Sequence, residues 1–300
     1  MYLRYFFTGD VMNKLKIGLV LEGGSMRGMF TCGVLDVLME NEIEFDGAIG
    51  VSAGAAFGCN YKSKQPGRAI RYNMKYCNDK RFAGIGNFIK TGNIFSKKFC
   101  YETIPNELDV FDRETFKNNP MEFYIVATDV EKGCEVYYKL ENGDDEDLEL
   151  IRASASMPIL SKIVTVDNTK LLDGGIADSI PLKGFEKMGY YRNVVILTQP
   201  MGFVKEKNKH MLLMKMKYHK YPNFVQAAKD RHVKYNAETL YVSRREEAGV
   251  AFVVRPPEPL NLKGIVRDPS ELDRVYQMGR RVMTERLEEL KRFLKESKEL

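Results

Sequence analysis

Ala48-Ile49-Gly50-Val51-Ser52-Ala53-Gly54-Ala55-Ala56 is the stretch on which the fold turns. Ala48 to Val51 reads as a short buried strand, and Ser52-Ala53-Gly54-Ala55-Ala56 opens a helix of small residues. Gly50-Val51-Ser52-Ala53-Gly54 spans the turn between them as a G-x-S-x-G pentapeptide. A serine at such a turn is held exposed in a strained backbone, and the flanking glycines remove the Cβ clashes that would forbid it. The helix directs its N-terminal N–H groups and positive dipole end towards Ser52, which favours negative charge developing there. The same five residues also fit a plain Gly-Ser turn that caps a helix.

The alternation continues outward from this point. Ile17 to Leu21 is an apolar run that ends in Glu22-Gly23-Gly24, the pattern of a buried strand entering a Gly-rich turn. From Gly28 to about Glu42, Phe30, Val34, Leu35, Val37 and Leu38 recur at helical spacing. Residues 123–128, 135–138, 163–166, 194–198 and 251–254 are β-rich, with helical stretches near 66–76, 147–154 and 181–188. Strand, turn and helix in rotation predict an α/β layer fold, helices flanking a mostly parallel central sheet.

With 300 residues, 44% of them hydrophobic and 29% charged, the chain can bury a core without a disulfide or metal staple. The formal charge of +5 is too mild to imply nucleic acid. Five scattered cysteines without a CxxC pair argue against a disulfide framework or a zinc site and fit a reducing, cytoplasmic setting. No run of eighteen apolar residues exists in the sequence. The start lacks a signal-peptide pattern, and residues 1–16 read as a tail with an alternative start at Met12. A composition shift near residue 200 divides a catalytic core, 17–198, from a basic and mainly helical extension, 199–300. Between 204 and 235 nine basic residues face two acidic ones. The Met-rich part near 211–221 suits an anionic membrane surface. A helix packing its apolar face on the core, with lysines in water, accounts for the same pattern. The final helix, from 269 onward, is amphipathic.

Two further segments carry chemistry. Gly23-Gly24-Ser25-Met26-Arg27-Gly28 follows the first strand and offers free backbone N–H groups, which suit a phosphate or an oxyanion. A nucleotide loop is the rival and weaker reading: G-x-x-x-x-G-K-[ST] is absent and the G-x-G-x-x-G spacing is broken at Ser25. Leu171-Leu172-Asp173-Gly174-Gly175 puts an aspartate at a strand end, a candidate base or orienting carboxylate, although Asp-Gly turns are common.

Taken together these pieces resemble the patatin-like phospholipase family, serine acyl hydrolases related to plant patatin and cytosolic phospholipase A2. Gly50-Val51-Ser52-Ala53-Gly54 is similar to its nucleophile motif, and Asp173-Gly174-Gly175 to its Asp-Gly-Gly/Ala motif. Residues 23–28 are similar to its Gly-rich oxyanion segment, and the stretch Arg152-Ala153-Ser154-Ala155-Ser156-Met157-Pro158 is similar too. The likeness runs from about 17 to 198. One departure is Ser25, where the family usually has a third glycine; a positive φ there would strain the loop.

The resemblance implies a three-layer fold and a dyad of Ser52 and Asp173 with no histidine, metal or cofactor. It also implies a substrate that is a fatty-acyl ester of a lipid. The residues alone leave two alternatives open. His210, His219 and His232 all follow Asp173, so a Ser-Asp-His order, and with it a small-ester or thioester hydrolase, is formally allowed. A non-catalytic lipid-binding module that keeps the fold is the other. Oligomeric state, head group and acyl chain length leave no mark in the sequence.

Overall fold

A computed structural model describes residues 15–262 and 264–299. The N-terminal tail expected over 1–16, with the alternative start at Met12, lies outside the described residues up to position 14.

Strand β1 (Ile17–Leu21) leads through a single 3-10 turn (Ser25–Arg27) into α1 (Gly28–Glu40). Strand β2 (Gly47–Val51) leads directly into α2 (Ala53–Lys62). Helices α3 (Arg68–Tyr76), α4 (Ile85–Thr91) and α5 (Arg113–Asn118), with a wide π-helical stretch over Lys98–Leu108, precede β3 (Glu122–Asp129) and β4 (Cys134–Leu140). Helix α6 (Asp145–Ser154), β5 (Val164–Val166), β6 (Thr169–Asp173), α7 (Leu182–Lys187) and β7 (Arg192–Ile196) follow. The remainder is α8 (Met211–Lys217), α9 (Pro222–Glu247), β8 (Ala251–Val254), α10 (Pro269–Glu285) and α11 (Leu287–Glu299).

Among the described residues, eight strands form one sheet. The pairs β1–β2, β1–β7, β2–β3 and β7–β8 are parallel, while β4, β5 and β6 add antiparallel partners. The parallel strands are buried on both faces, which is why they read as unbroken apolar runs rather than alternating ones. Their alternate residues enter two separate cores. Leu19, Leu21, Val194 and Ile196 pack with α1 and α10, whereas Val20, Ile49, Val195 and Val253 pack with Phe185 of α7 and Tyr235 and Val242 of α9. The result is three layers, helix on sheet on helix.

The sheet does not stop at residue 198. Strand β8 pairs with β7, from Asn193 opposite Ala251 to Ile196 opposite Val254. Helix α10 crosses α1 so closely that a Cβ on Gly33 would lie 2.1 Å from the Tyr276 carbonyl, and one on Gly279 2.1 Å from that of Phe30. Leu272, Val275 and Met283 of α10 are fully buried, each contributing about 1.5–3 kcal/mol of apolar burial. Elements on both sides of the composition shift near 200 thus share the sheet and the helical layer over it.

Candidate active site

Strand β3 brings the two candidate residues together. Along one edge it pairs with β4; along the other it pairs with β2 up to Val126 opposite Val51, then with β6 from Ala127 opposite Asp173. The chain leaving β2 and the chain leaving β6 thus meet at adjacent positions of β3. Ser52, one residue beyond Val51, donates its hydroxyl to Asp173 Oδ2 at 2.8 Å.

Each partner is held independently. Ser52 has φ 54° and ψ −116°, a conformation that costs a non-glycine residue about 1–3 kcal/mol and that the surroundings must impose. Here they do: a Cβ on Gly50 would sit 2.5 Å from the Gly54 carbonyl oxygen, and one on Gly54 2.4 Å from that of Leu21. No larger residue permits so tight a turn. The Ser52 N–H donates to Ser154 Oγ at 2.9 Å, and Ser154 donates onward to the Val126 carbonyl. Asp173 Oδ1 accepts from the Gly175 N–H at 2.8 Å, its own N–H donates to the Ser156 carbonyl, and its carbonyl accepts from Thr128 Oγ1. Burial pushes the Asp173 carboxyl up from its ordinary range; the charge of Arg231 and the Ser52 and Gly175 hydrogen bonds oppose this in part. A buried carboxylate so destabilised is a stronger base than an exposed one.

The Gly-rich segment runs alongside. Among the described residues, the N–H groups of Gly23, Gly24 and Ser25 have no protein acceptor, and neither does that of Ala53 at the start of α2. Arg27 N–H is used by the Gly24 carbonyl. Ser25, in place of the expected glycine, does adopt positive φ, 51°. That left-handed conformation costs an L-residue about 1–2 kcal/mol, and the Ser25 hydroxyl reaches the Gly264 carbonyl at 3.4 Å. Behind the loop, the buried Glu22 carboxylate accepts from the Thr198 N–H and the Tyr235 hydroxyl, tying β1 to β7 and α9.

Ser25, Met26 and Ser52 open into a cavity of about 1090 Å³, its mouth included, whose walls include Phe57, Tyr72, Phe95, Phe111 and Ile151. The three histidines stand apart from it. His210 and His219 are exposed and His232 is partly so; none bonds to Ser52 or Asp173, and the rings of His219 and His232 contact only carbonyls of their own helical turn.

Residues 19–185 match the family model for patatin-like phospholipase, more than half of the chain. The chain belongs to the patatin-like phospholipase family. Residues 221–295 match a second family, described as a domain of unknown function (DUF6363). Among patatin-like relatives, Uncharacterized protein YjjU of Escherichia coli (strain K12) is 34% identical over 195 residues, 62% of this chain and 52% of that protein. Lysophospholipase nte1 of Aspergillus niger is 28% identical over 184 residues, 58% of this chain and 11% of the fungal protein. Probable lipid hydrolase 463L of Invertebrate iridescent virus 6 is 25% identical over 180 residues, 55% of this chain and 61% of that protein. The chain thus spans about half the length of the bacterial relative and a ninth of the fungal one. A solved structure, VipD from Legionella pneumophila, superposes with a TM-score of 0.43 and 13% identity over 90% of this chain and 67% of that one.

Several residues that shape this patatin-like site carry no sequence signal of their own. Ser154 lies inside the similar stretch before the Asp motif, yet nothing in its neighbours marks it as the acceptor for the Ser52 N–H. Thr128, Tyr235, Lys205 and Arg231 are ordinary residues until the fold brings them to Glu22 and Asp173.

Proposed function

We propose that this patatin-like chain is a serine acyl hydrolase that cleaves fatty-acyl esters of lipids through Ser52 and Asp173, without a histidine. The observation that carries the reading is the 2.8 Å Ser52–Asp173 hydrogen bond, with Ser52 lining an apolar cavity. Asp173 Oδ2 takes the hydroxyl proton as Ser52 Oγ bonds to the ester carbonyl carbon, and the carbonyl π electrons move onto oxygen. The free N–H groups of Gly23, Gly24 and Ser25, with that of Ala53, hold this oxyanion; Met26, Arg27 and Gly28 complete the loop that presents them. Collapse expels the alcohol, which leaves with the proton from Asp173. Asp173 then deprotonates a water that attacks the acyl-enzyme, and the fatty acid departs as the proton returns to Ser52. The acyl chain occupies the cavity between Phe57, Phe95 and Phe111.

A fluorophosphonate probe is expected to label the protein once, on Ser52, and p-nitrophenyl esters are expected to turn over faster as the acyl chain lengthens. No labelling and no turnover would leave a lipid-binding module as the reading, whereas a preference for acetate would point to a small-ester hydrolase.

Peripheral contact with an anionic membrane belongs to the same proposal. Helix α8 lays only part of its apolar surface on the core: Met214 is buried, but Leu212 and Met216 are 75% and 66% exposed, and Leu213 is exposed too. Four consecutive apolar residues, 211–214, wrap around a two-turn helix, so Met214 and part of Met211 face inward while Leu212 and Leu213 face out. Lys217 donates to the carbonyls of Ile159 and Ser161, and Ser161 lines the cavity, so the end of this helix reaches the cavity wall. Among the described residues no helix is long and apolar enough to cross a membrane. Binding to anionic vesicles is expected to weaken steeply between low and physiological salt, where screening falls to about 8 Å. It is also expected to fall further in Leu212→Asp. Equal binding to neutral and anionic vesicles would show that the face is merely solvated.

A further inference from the structure

Helix α2 runs along the cavity from Ser52 outward. Ala53, Ala56, Phe57 and Cys59 follow one another on its wall. At a rise of about 1.5 Å per residue, Asn60 stands about 12 Å beyond Ser52. There its Oδ1 accepts from Arg68 Nη1 at 2.8 Å. Arg68 is buried, lines the cavity and opens α3; its Cζ lies 5.3 Å from the centres of the Tyr72 and Phe111 rings. The π-helical stretch lies against α3, with the Phe99 ring edge-on to that of Tyr76 at 5.3 Å.

This part of the wall is not apolar. Asn73 lines the cavity and is 1% exposed; its Nδ2 donates to the Ala69 carbonyl at 2.9 Å, which leaves Oδ1 buried without a partner. Tyr72 and, from the π-helical stretch, Tyr101 also line the cavity, and neither hydroxyl makes a hydrogen bond among the described residues. Burial pushes both phenols up, as it does for hydroxyls that face the interior rather than open solvent. Arg68, by contrast, is committed: it donates to Asn60 and to the Asp109 carbonyl, and the Asp109 carboxylate stands 3.5 Å from its Nε. A hydrocarbon chain filling this region would leave the Asn73 oxygen and the tyrosine hydroxyls unpaired, which is costly for buried polar groups.

We infer that Tyr72 and Asn73 of α3, with Tyr101 of the adjoining π-helical stretch, form a subsite for a hydroxyl group carried on the acyl chain, about ten carbons from the ester. The inference rests on the hydrolase reading, which puts the ester at Ser52, and it narrows the substrate class to esters of hydroxylated fatty acids. A hydroxyl fits because it donates and accepts at once: its hydrogen goes to Asn73 Oδ1 while its lone pairs take a tyrosine O–H. A keto group has no hydrogen for Asn73. A carboxylate would set negative charge against that same oxygen, and Arg68 already has its counter-ion in Asp109. The position follows from length, since an extended chain gains about 1.2 Å per bond and so covers the distance from Ser52 to Asn60 in roughly ten bonds.

The wild-type protein is titrated with decanoic acid, ω-hydroxydecanoic acid and decanedioic acid, each below its micellar concentration. Against an apolar wall the added hydroxyl would weaken binding by about tenfold or more. Here the hydroxy acid is expected to bind at least as tightly as decanoic acid. Tyr72→Phe and Tyr101→Phe are each expected to weaken the hydroxy acid by about three- to tenfold and to leave decanoic acid within about twofold. Neither change removes a hydrogen bond of the folded protein, so these two carry the test if Asn73→Leu, expected to cost the hydroxy acid about tenfold, folds poorly. A hydroxy acid that binds about tenfold more weakly than decanoic acid, or that does not bind, overturns the subsite. So does an equal loss of both acids in the tyrosine variants, which would mean that the rings only shape the wall. Tightest binding of decanedioic acid would make this an anion site and overturn it as well. With p-nitrophenyl esters of the first two acids, the ratio of kcat/KM is expected to follow the binding ratio in each variant, mainly through KM. Should neither ester be hydrolysed, the hydrolase reading fails while the titration still decides the subsite.

Discussion

Ser52→Ala is expected to lower ester hydrolysis by on the order of 10⁴–10⁶-fold while the protein melts at nearly the same temperature. The size of the loss follows from the absence of a substitute. In the proposed mechanism the variant keeps the unpaired N–H groups of Gly23, Gly24 and Ser25 and the apolar cavity, so it would still bind and polarise an ester, but no oxygen is left at the apex of the turn. Stability changes little because alanine has the same Cβ and therefore the same backbone strain at φ 54°. Asp173 loses one hydrogen bond, about 1 kcal/mol, and keeps the one from Gly175. Rates measured beside a thermal melt decide the matter. A variant that keeps more than a few per cent of wild-type activity at unchanged stability would remove Ser52 from the mechanism.

The stretch around Ser52 was readable because sterics at a strand-to-helix turn allow so few residues. Gly50 and Gly54 are there because backbone carbonyls occupy the space where a Cβ would go, and that requirement is visible as a pentapeptide. The parallel strands were readable for a related reason: burial on both faces leaves apolar runs such as residues 194–196, within the 194–198 expected, although β7 itself begins two residues earlier at Arg192 and ends at Ile196. Strand β6 showed only its last residues, Leu171 to Asp173, since Thr169 and Lys170 are partly exposed and break the apolar signal.

Other features had no local pattern to read. The cavity wall draws on the π-helical stretch Lys98–Leu108, whose period of more than four residues and internal Pro105 match neither strand nor α-helix. The lysine excess between 204 and 235 hid two different environments. Lys215 and Lys217 lie on the exposed face of α8, whereas Lys205 and Arg231 turn towards Glu22 and Asp173. Composition sums both into one basic segment; only the path of α9 across the sheet, with Tyr235 bonded to Glu22, separates them. The segment beyond 198 also packs into the layers that precede it. Residues that look like an appendix supply β8 to the sheet and α10 to the layer over α1.

Asp173→Asn separates the dyad from every histidine-based alternative. The amide is isosteric, and its oxygen still accepts from Gly175, so the turn after β6 persists. It cannot take the proton from Ser52, and the rate is expected to fall on the order of 10⁴-fold, the scale seen when a catalytic carboxylate becomes an amide. The pH profile adds a second reading. A base works deprotonated, so on the dyad reading wild-type activity is expected to rise with pH through the Asp173 pKa, which burial sets above the ordinary carboxylate range. In Asp173→Asn the limb should vanish from whatever activity remains. In Arg231→Gln it should move to higher pH, because the cation that now opposes the burial shift is gone. A histidine base would instead give a limb near 6.5, lost on replacing that histidine. His210→Gln, His219→Gln and His232→Gln are each expected to stay within a few-fold of wild type, since none of the three rings reaches Asp173 or Ser52. Wild-type rates in Asp173→Asn, joined to a large loss in one of these, would transfer the base to imidazole. An acid limb that follows Asp173 through both Asn and the Arg231 variant would tie the proton to one carboxylate.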